Sequence, residues 1–405
     1  MIYPVIIVGG GFAGLTLANL LESRKKRYLL IEKNERLGKK ILATGNGRGN
    51  VTNLNLDLSH YHGSEKEFPA YAIKNYDNRL IADFFEEKGV LLSNENDKVY
   101  PSSKQANAIL DAMRFGLNEK NVLLNSEVTD IKKSSDGYFK VYANGNAYLS
   151  EKVVLCVGGK AAPHFGTDGL SYRLAENLGH KITKLYPSLV QLTVDKKDVK
   201  GLKGVKEAAV VKGYSGEKLL KTAEGDILFT DNGVSGNTVF FLSSYLTDAK
   251  NPYISIDFLP SVEKETAINV LIKRRVAFPN LPAETFLSGL THSRISYKIT
   301  SDYFGKNLSD LSYKDIKDNV ARELVDALKN YKIAITGNIG FSSAQVTRGG
   351  VSTFSVESST MESKICKGLY FAGEVLDVDG DCGGYNLQWA FSSAKCAYRS
   401  IIEEK

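Results

Sequence analysis

The sequence predicts an α/β fold built on a parallel sheet, and three observations carry that prediction. Val5-Ile6-Ile7-Val8 is β-branched throughout and runs into Gly9-Gly10-Gly11, the texture of a strand buried on both faces. Leu15, Leu17, Ala18, Leu20 and Leu21 then give a helix a broad apolar face, and Tyr28-Leu29-Leu30-Ile31 returns to strand texture before Glu32. Within this strand-turn-helix-strand unit, Gly9, Gly11 and Gly14 fit G-x-G-x-x-G.

Each glycine has a task in that setting. Gly9 permits the tight turn, Gly11 lets backbone N–H groups approach a pyrophosphate, and Gly14 lets helix and strand pack closely, so the helix N-terminus faces the phosphates. Glu32 closes the second strand about twenty residues on, where a carboxylate accepts from ribose hydroxyls and repels a 2′-phosphate. This much describes a dinucleotide site. The motif alone does not separate FAD from NAD.

At 405 residues the chain exceeds what one core usually serves, so two or three domains are expected. The formal net charge of +6 is spread along the chain with no arginine-rich stretch, which speaks for a solvated basic surface rather than nucleic acid. Cys156, Cys366, Cys382 and Cys396 form no C-x-x-C pair and no zinc spacing; a disulfide framework, a structural zinc site and a local redox pair are not expected, which suits a reducing cytoplasm. No Lys or Arg precedes the glycine-rich N-terminal run, so it does not read as a signal peptide, and no other apolar run is long enough to span a bilayer. A cytoplasmic protein without membrane contact is expected.

After Glu32, the loop with Lys33, Lys39, Lys40 and Gly45-Asn46-Gly47-Arg48-Gly49-Asn50 suits an anionic, polar ligand: glycines admit backbone amides, and Arg48 offers a planar fork to phosphate or a ring carbonyl. Residues 69–90 look helical, with Phe84 and Phe85 as core. Another helix follows Tyr100-Pro101, capped by Ser102 or Ser103, with Ala106, Ile109, Leu110 and Met113 as its buried stripe. Stretches around Val122, Val128, Phe139 and Ala147 suggest strands and a small antiparallel meander, and Val153 to Gly159 reads as a buried strand ending in glycines.

From Ser188 to Asp257 short alternating stretches separated by glycine turns read as a β-rich insert; its loop from Gly225 to Gly236 fits turn chemistry as well as ligand binding. Ser261 and Ser312 look like helix N-caps, and Ile316, Val320, Leu324 and Leu328 recur as core. The last sixty residues return to strand ends and glycines: Val346 to Val351, Gly368 to Glu374, and Asp377 to Ala390, where Gly383-Gly384 opens a final helix. That helix start presents free N–H groups and a positive dipole end, suited to the N1–C2=O edge of a flavin if the ligand is one.

These residues resemble the BaiN-like (YhiN-type) FAD-dependent oxidoreductases, some of them named aminoacetone oxidases. The resemblance runs through the glycine fingerprint, Lys39-Lys40 with Gly45 to Asn53, Tyr100-Pro101-Ser102, Gly158-Gly159-Lys160, Gly225 to Gly236, Thr347 to Val351, Met361 to Lys364, and Gly368 to Ala390. It implies a Rossmann-like FAD-binding domain of the glutathione-reductase type, formed by both chain ends and carrying a β-barrel plus helical insert. The implied boundaries are 1–186 and 333–405 for the two parts of the FAD domain, 187–260 for the β-rich insert and 261–332 for the helical insert. Motif and resemblance together give FAD contacts from Gly9, Gly11, Phe12, Ala13, Gly14, Glu32, Lys33, Lys40, Asn46, Gly47, Arg48, Val128 (by backbone, near adenine), Gly158, Gly373, Glu374, Gly383, Gly384, Asn386 and Leu387. The chain departs from the family where a cysteine commonly stands at Gly49, and at Asp231, Asn232 and Asn237, where histidine, an aromatic and proline are common.

The expected function is hydride-equivalent transfer between a small organic substrate, of amine, ketone or enone class, and flavin N5. One dinucleotide fingerprint is present and no second, so NAD(P)H meets the flavin transiently, or O₂ or an electron-carrier protein serves as redox partner. The alternatives are an FAD protein that modifies nucleic acid such as tRNA, and a flavin-binding module without turnover. No catalytic base is named. His164 just past Gly159 and Cys382 beside the last helix are the candidates, the first as acid or base and the second as nucleophile or packing residue. His60 and His62, without a third ligand, read as exposed loop residues rather than a metal site.

Overall fold

The computed structural model describes residues 1–403 and divides into two compact units, Met1–Pro187 with the chain from Phe341 onward, and Ser188–Gly340. The fold is the α/β arrangement expected, with a closed barrel in the second unit.

The first unit is built on β1 (Ile2–Val8), which leads through glycines into α1 (Phe12–Ser23) and back to β2 (Leu29–Ile31). A small antiparallel sheet holds β3 (Thr52–Asn53), β5 (Leu92–Glu95) and β6 (Lys98–Pro101), and β4 (Tyr61–His62) stands apart. Helices α2 (Ala70–Asn75), α3 (Asn78–Glu86) and α4 (Ala106–Arg114) precede β7 (Val122–Leu123), β8 (Val128–Lys133), β9 (Phe139–Ala143) and β10 (Asn146–Leu155). After α5 (Tyr172–Glu176) the chain leaves through β11 (Tyr186–Ser188).

The strand order of the main sheet is β7-β2-β1-β10-β9-β8, and β10 is its pivot. The first half of β10 pairs antiparallel with β9, and residues 153–155 pair parallel with β19 (Leu369–Phe371) from the far end of the chain. The second arm of the meander, Ala147 to Leu149, and the buried strand from Val153, read separately in the sequence, are therefore one continuous strand. Ile6, Ile7, Leu30, Val153, Val154, Leu155, Tyr370 and Phe371 are all buried, as a sheet covered on both faces requires.

Three local expectations are corrected. Residues 69–90 form two helices, because Asp77 starts a new one by accepting from the N–H groups of Arg79 and Leu80. Neither Ser102 nor Ser103 caps α4; the cap is Gln105, and the Gly47 carbonyl accepts from Ala106 N at 2.8 Å instead. Ser261 caps nothing, since α7 (Lys264–Ala277) starts after Glu263; Ser312 closes a capping box with Asp315 on a single 3₁₀ turn, ahead of α9 (Asp318–Lys329).

In the second unit, β12 (Leu192–Val194), β13 (Lys206–Ser215), β14 (Lys218–Phe229), β15 (Gly233–Ser235), β16 (Pro252–Asp257) and β17 (Tyr331–Asn338) close a barrel in the order β12-β15-β14-β13-β16-β17. Pairing of β12 with β17 makes the closure and leaves no open edge. With α6 (Asn237–Leu246), α7, α8 (Ser293–Phe304) and α9, it shares a core of Val211, Ile227, Ile254, Leu271, Ile295 and Leu324. The stretch from Gly225 to Gly236 is mostly strand, turning at Asp231 and Asn232. Because β17 carries barrel pairing past residue 333, the first unit resumes only at Phe341.

That return supplies β18 (Val346–Arg348), β19, β20 (Asp379–Gly380), which pairs with β4, and α10 (Tyr385–Glu403). Among the described residues no helix is long and apolar enough to cross a membrane.

Candidate functional site

The parallel register decides where the site lies. Val8 aligns with Ile31 on one side and with Leu155 on the other, and Leu155 aligns with Phe371. The residues that follow, Gly9, Glu32, Cys156 and Ala372, therefore stand in one row at the carboxyl edge of the sheet, the edge at which open α/β sheets bind ligands.

Gly9 makes the turn there with φ of +103°, and a Cβ on Gly14 would lie 2.0 Å from the Gly9 carbonyl oxygen, so helix and strand touch through backbone. On Gly11 the same Cβ would meet nothing within 4 Å, which leaves the face above the turn open. Gly11 is the N-cap of α1 and makes no side-chain cap; the first-turn N–H groups of Phe12, Ala13 and Gly14 have no partner within the helix, the arrangement that receives an anion.

Glu32 is buried, and its two oxygens bind the turn together. Oε2 accepts from Gly10 N at 2.7 Å, and Oε1 accepts from Asn34 N at 2.8 Å and Asn34 Nδ2 at 2.6 Å. A carboxylate has about four lone-pair sites, so room remains for a hydroxyl. Ser126 N donates to the Glu32 carbonyl, which brings the start of β8 and Val128 beside this strand end. Lys33 pairs with Asp168 at 3.1 Å.

At the other end of the row Lys40 and Glu374 form an ion pair of 2.7 Å. The second Glu374 oxygen accepts from Thr347 N at 2.9 Å, and Thr347 Oγ1 accepts from Lys160 N and Ala161 N just past Gly158-Gly159. Gly373 donates its N–H to Ser393 and accepts from Trp389 Nε1 at 3.2 Å, so Trp389 packs α10 against β19. The start of α10 is tied in by Asn386, which exchanges both amide bonds with the backbone of Gly380, and by Asn53, which donates to the Gly383 carbonyl at 3.0 Å. Leu387 follows in the first turn of that helix.

Other residues of the expected set lie elsewhere in the unit. Arg48 pairs with Glu95 and lies over the Tyr100 ring, 4.3 Å from its centroid, while Asn46 and Gly47 form the exposed bend before it. Gly49 has φ of +74° and a Cβ there would come 3.0 Å from Ala106 Cα, so this loop packs closely on α4. His164 is exposed in a 3₁₀ turn beside Phe165. Burial pushes the Cys382 thiol up, which keeps it protonated and poorly nucleophilic.

Sequence reasoning missed Asn34, Thr347 as an acceptor, and His60 and His62, which are part-buried and share one carboxylate, that of Asp381. For Thr347 the Thr-Arg-Gly-Gly-Val stretch was the available signal; nothing local marks the histidine pair, because their partner lies more than three hundred residues on. Among the described residues no group of three His, Cys, Asp or Glu side chains could hold a metal ion.

Comparison with known proteins adds the following. The family described as HI0933-like protein Rossmann domain matches residues 3–400. The 3-dehydro-bile acid delta(4,6)-reductase of Clostridium scindens is 33% identical over 98% of this chain and 98% of its own. The ribosomal RNA dihydrouridine synthase of Escherichia coli is 31% identical over 100% of this chain and 99% of its own. Among solved structures, the 3-ketosteroid-delta4-(5alpha)-dehydrogenase of Rhodococcus jostii is 13% identical with a TM-score of 0.46, covering 99% of this chain and 97% of that one.

Proposed function

Because the chain belongs to the HI0933-like Rossmann family and is an FAD-dependent oxidoreductase, we propose that it reduces a carbon–carbon double bond conjugated with a carbonyl in a small organic substrate. The observation that carries this reading is that two differently named relatives, each matched over nearly its whole length, share that bond type. A 3-dehydro-bile acid has a C3 carbonyl, and delta(4,6) places double bonds in conjugation with it. Dihydrouridine is uridine reduced at a ring double bond conjugated with the C4 carbonyl. The enone class is thus the part of the expected substrate range that the relatives support.

FAD fits the residues present. The open face above Gly11 and the first-turn N–H groups of Phe12, Ala13 and Gly14 suit the pyrophosphate, and the spare lone pairs of Glu32 suit ribose hydroxyls. Lys33 and the backbone of Val128 flank the adenosine end; Lys40, Gly158, Gly373 and Glu374 line the middle. Gly383, Gly384, Asn386 and Leu387 offer a helix N-terminus to the flavin pyrimidine edge, where negative charge collects on reduction. When bound, FAD supplies hydride-equivalent transfer at N5, with nicotinamide dinucleotide as the electron source; the protein's residues bind, orient and stabilise. Asn46, Gly47 and Arg48 complete the assigned set on the loop preceding β3. The FAD-holding unit is the one made by both chain ends.

The test is anaerobic reduction of the FAD-loaded protein with NADPH and with NADH, followed by 2-cyclohexenone or a Δ4-3-ketosteroid. Flavin reoxidation with formation of the saturated ketone supports the reading. Turnover of amines with peroxide release, or reduction of uridine in RNA with neither enone touched, overturns it.

A further inference from the structure

A hydrogen-bonded row of three side chains lies outside the set just assigned. His60 Nδ1 is 3.0 Å from Asp381 Oδ2, and His62 Nε2 is 2.8 Å from Asp381 Oδ1. The Asp381 side chain is fully buried, while the imidazoles keep 20% and 16% exposure. Backbone fixes the row from both sides: Asp381 N donates to the His60 carbonyl, and β4 pairs with β20 in the register Asp379 to His62 and Gly380 to Tyr61.

The neighbouring carboxylate makes the contrast instructive. Asp379, also buried, takes the permanently charged Arg348 at 3.1 Å, whereas Asp381 takes two imidazoles. Burial by itself would raise the Asp381 carboxyl, but the hydrogen bonds from His60 and His62 outweigh it and hold it below the ordinary range. The Asp381 carboxylate is therefore held in its charged form by the two imidazoles beside it.

His60 has the geometry of a proton donor. Its Nδ1 is held by the carboxylate, its ring stacks on Tyr385, the first residue of α10, at 4.3 Å and 19°, and its Nε2 lies on the part-exposed side, 3.4 Å from Asn55 Nδ2, an amide donor from which it accepts while the ring is neutral. A buried carboxylate on one ring nitrogen with the other turned outward is the arrangement in which aspartate orients an imidazole for proton transfer. The charged and titratable groups facing the row are Asp57, Asp97, Lys98, Tyr61, Cys382 and Tyr385, the last three held protonated by burial.

We infer that His60, positioned by Asp381, delivers the proton that completes reduction of the conjugated double bond; the inference rests on the reaction proposed above and on α10 facing the flavin. Bound FAD, once reduced, would supply the hydride equivalent for the new C–H bond at the β-carbon of the enone. The π pair of the double bond moves into the enolate, and the α-carbon takes the proton from His60 Nε2. The imidazole is left neutral and regains its proton from solvent on its exposed side. His62 keeps the Asp381 charge paired while His60 is neutral.

The experiment uses FAD-loaded protein with its flavin reduced by NADPH, mixed anaerobically with 2-cyclohexenone from pH 5 to 9. In wild type the reoxidation rate falls as pH rises, because the donor must carry its proton. His60→Gln slows it by about 100-fold or more and removes that pH dependence, while FAD content and NADPH reduction stay within about twofold on the same scale. Asp381→Asn, of nearly equal volume, gives an intermediate loss. The second readout is the nitrogen spectrum of labelled histidine rings at one pH: the His60 and His62 ring signals both move in Asp381→Asn, which alters their shared carboxylate. Wild-type rate and pH profile in His60→Gln, or identical histidine ring spectra in wild type and Asp381→Asn, overturn the inference alone. Failure of wild type itself to reduce the enone, with flavin bound and reducible, overturns the reaction reading and the donor role with it.

Discussion

Replacing Glu32 separates two tasks that one carboxylate performs. In the protein as folded it accepts from Gly10 N, Asn34 N and Asn34 Nδ2, all at 2.6 to 2.8 Å. Hydrogen bonds to a charged group are worth about 1.5–3 kcal/mol each, and orphaning a buried N–H forfeits that value. Glu32→Ala leaves two backbone donors without their acceptor and should destabilise the cofactor-free protein by about 3 kcal/mol or more. Glu32→Gln keeps one acceptor but sets an amide NH₂ against an N–H donor, and should cost about half as much. Trp389, the single tryptophan, is buried in the same unit, so its fluorescence during urea unfolding reads the effect there. FAD affinity is measured separately by flavin fluorescence quenching, where loss of one or two hydroxyl–carboxylate bonds predicts weakening of about 10- to 100-fold for Glu32→Ala. Urea midpoints and FAD affinity both indistinguishable from wild type would refute the assignment of either task.

Gly14→Ala places a methyl 2.0 Å from a backbone oxygen that no side-chain rotation can move, and should cost about 1–3 kcal/mol and most FAD binding; retention of a full flavin complement would count against it. His180 is buried between Ser355 and Ser363, and burial pulls its pKa from 6.5 down to about 4. Protonation then favours the unfolded chain below 6.5, so stability is full above that pH and is lost as pH falls to 4, by about 3 kcal/mol at about 1.4 kcal/mol per pH unit. Urea midpoints at pH 7, 6 and 5 should fall more steeply in wild type than in His180→Gln, and parallel slopes would contradict this. Because burial raises the Cys382 thiol, iodoacetamide at pH 7.5 should label it far more slowly than in the urea-unfolded chain, as peptide mass mapping would show.

Local signals carried the reading wherever structure is decided locally. The β1–α1–β2 unit follows from β-branched runs, helical periodicity and glycines within thirty-two residues, and Glu32 stands where the motif requires an acid. The family resemblance, carried by blocks spread over the chain, agrees with the family match over residues 3–400. What escaped is decided by partners distant in sequence. The continuity of β10 depends on β1 and β19, neither adjacent to it in the chain. The helix cap at Gln105 depends on a carbonyl from Gly47, and burial of His60 and His62 depends on Asp381. Composition gives no hint of such pairings, and a polar loop containing histidines has the same texture whether or not a carboxylate awaits it.

The position of β19 bears on how the chain is made as well as on what it binds. A ribosome delivers β1 and β10 early, yet residues 153–155 of β10 gain β19 as a parallel neighbour only after Leu369 has emerged. Until then the carboxyl edge of the sheet lacks Gly373 and Glu374, and β10 offers unpaired backbone where β19 will lie. The barrel unit, continuous from Ser188 to Gly340, can close during that interval because all six of its strands are already present. Nascent chains halted before Leu369 should therefore contain a protease-resistant barrel and no flavin, and the cofactor should be acquired only after β19 and α10 have emerged.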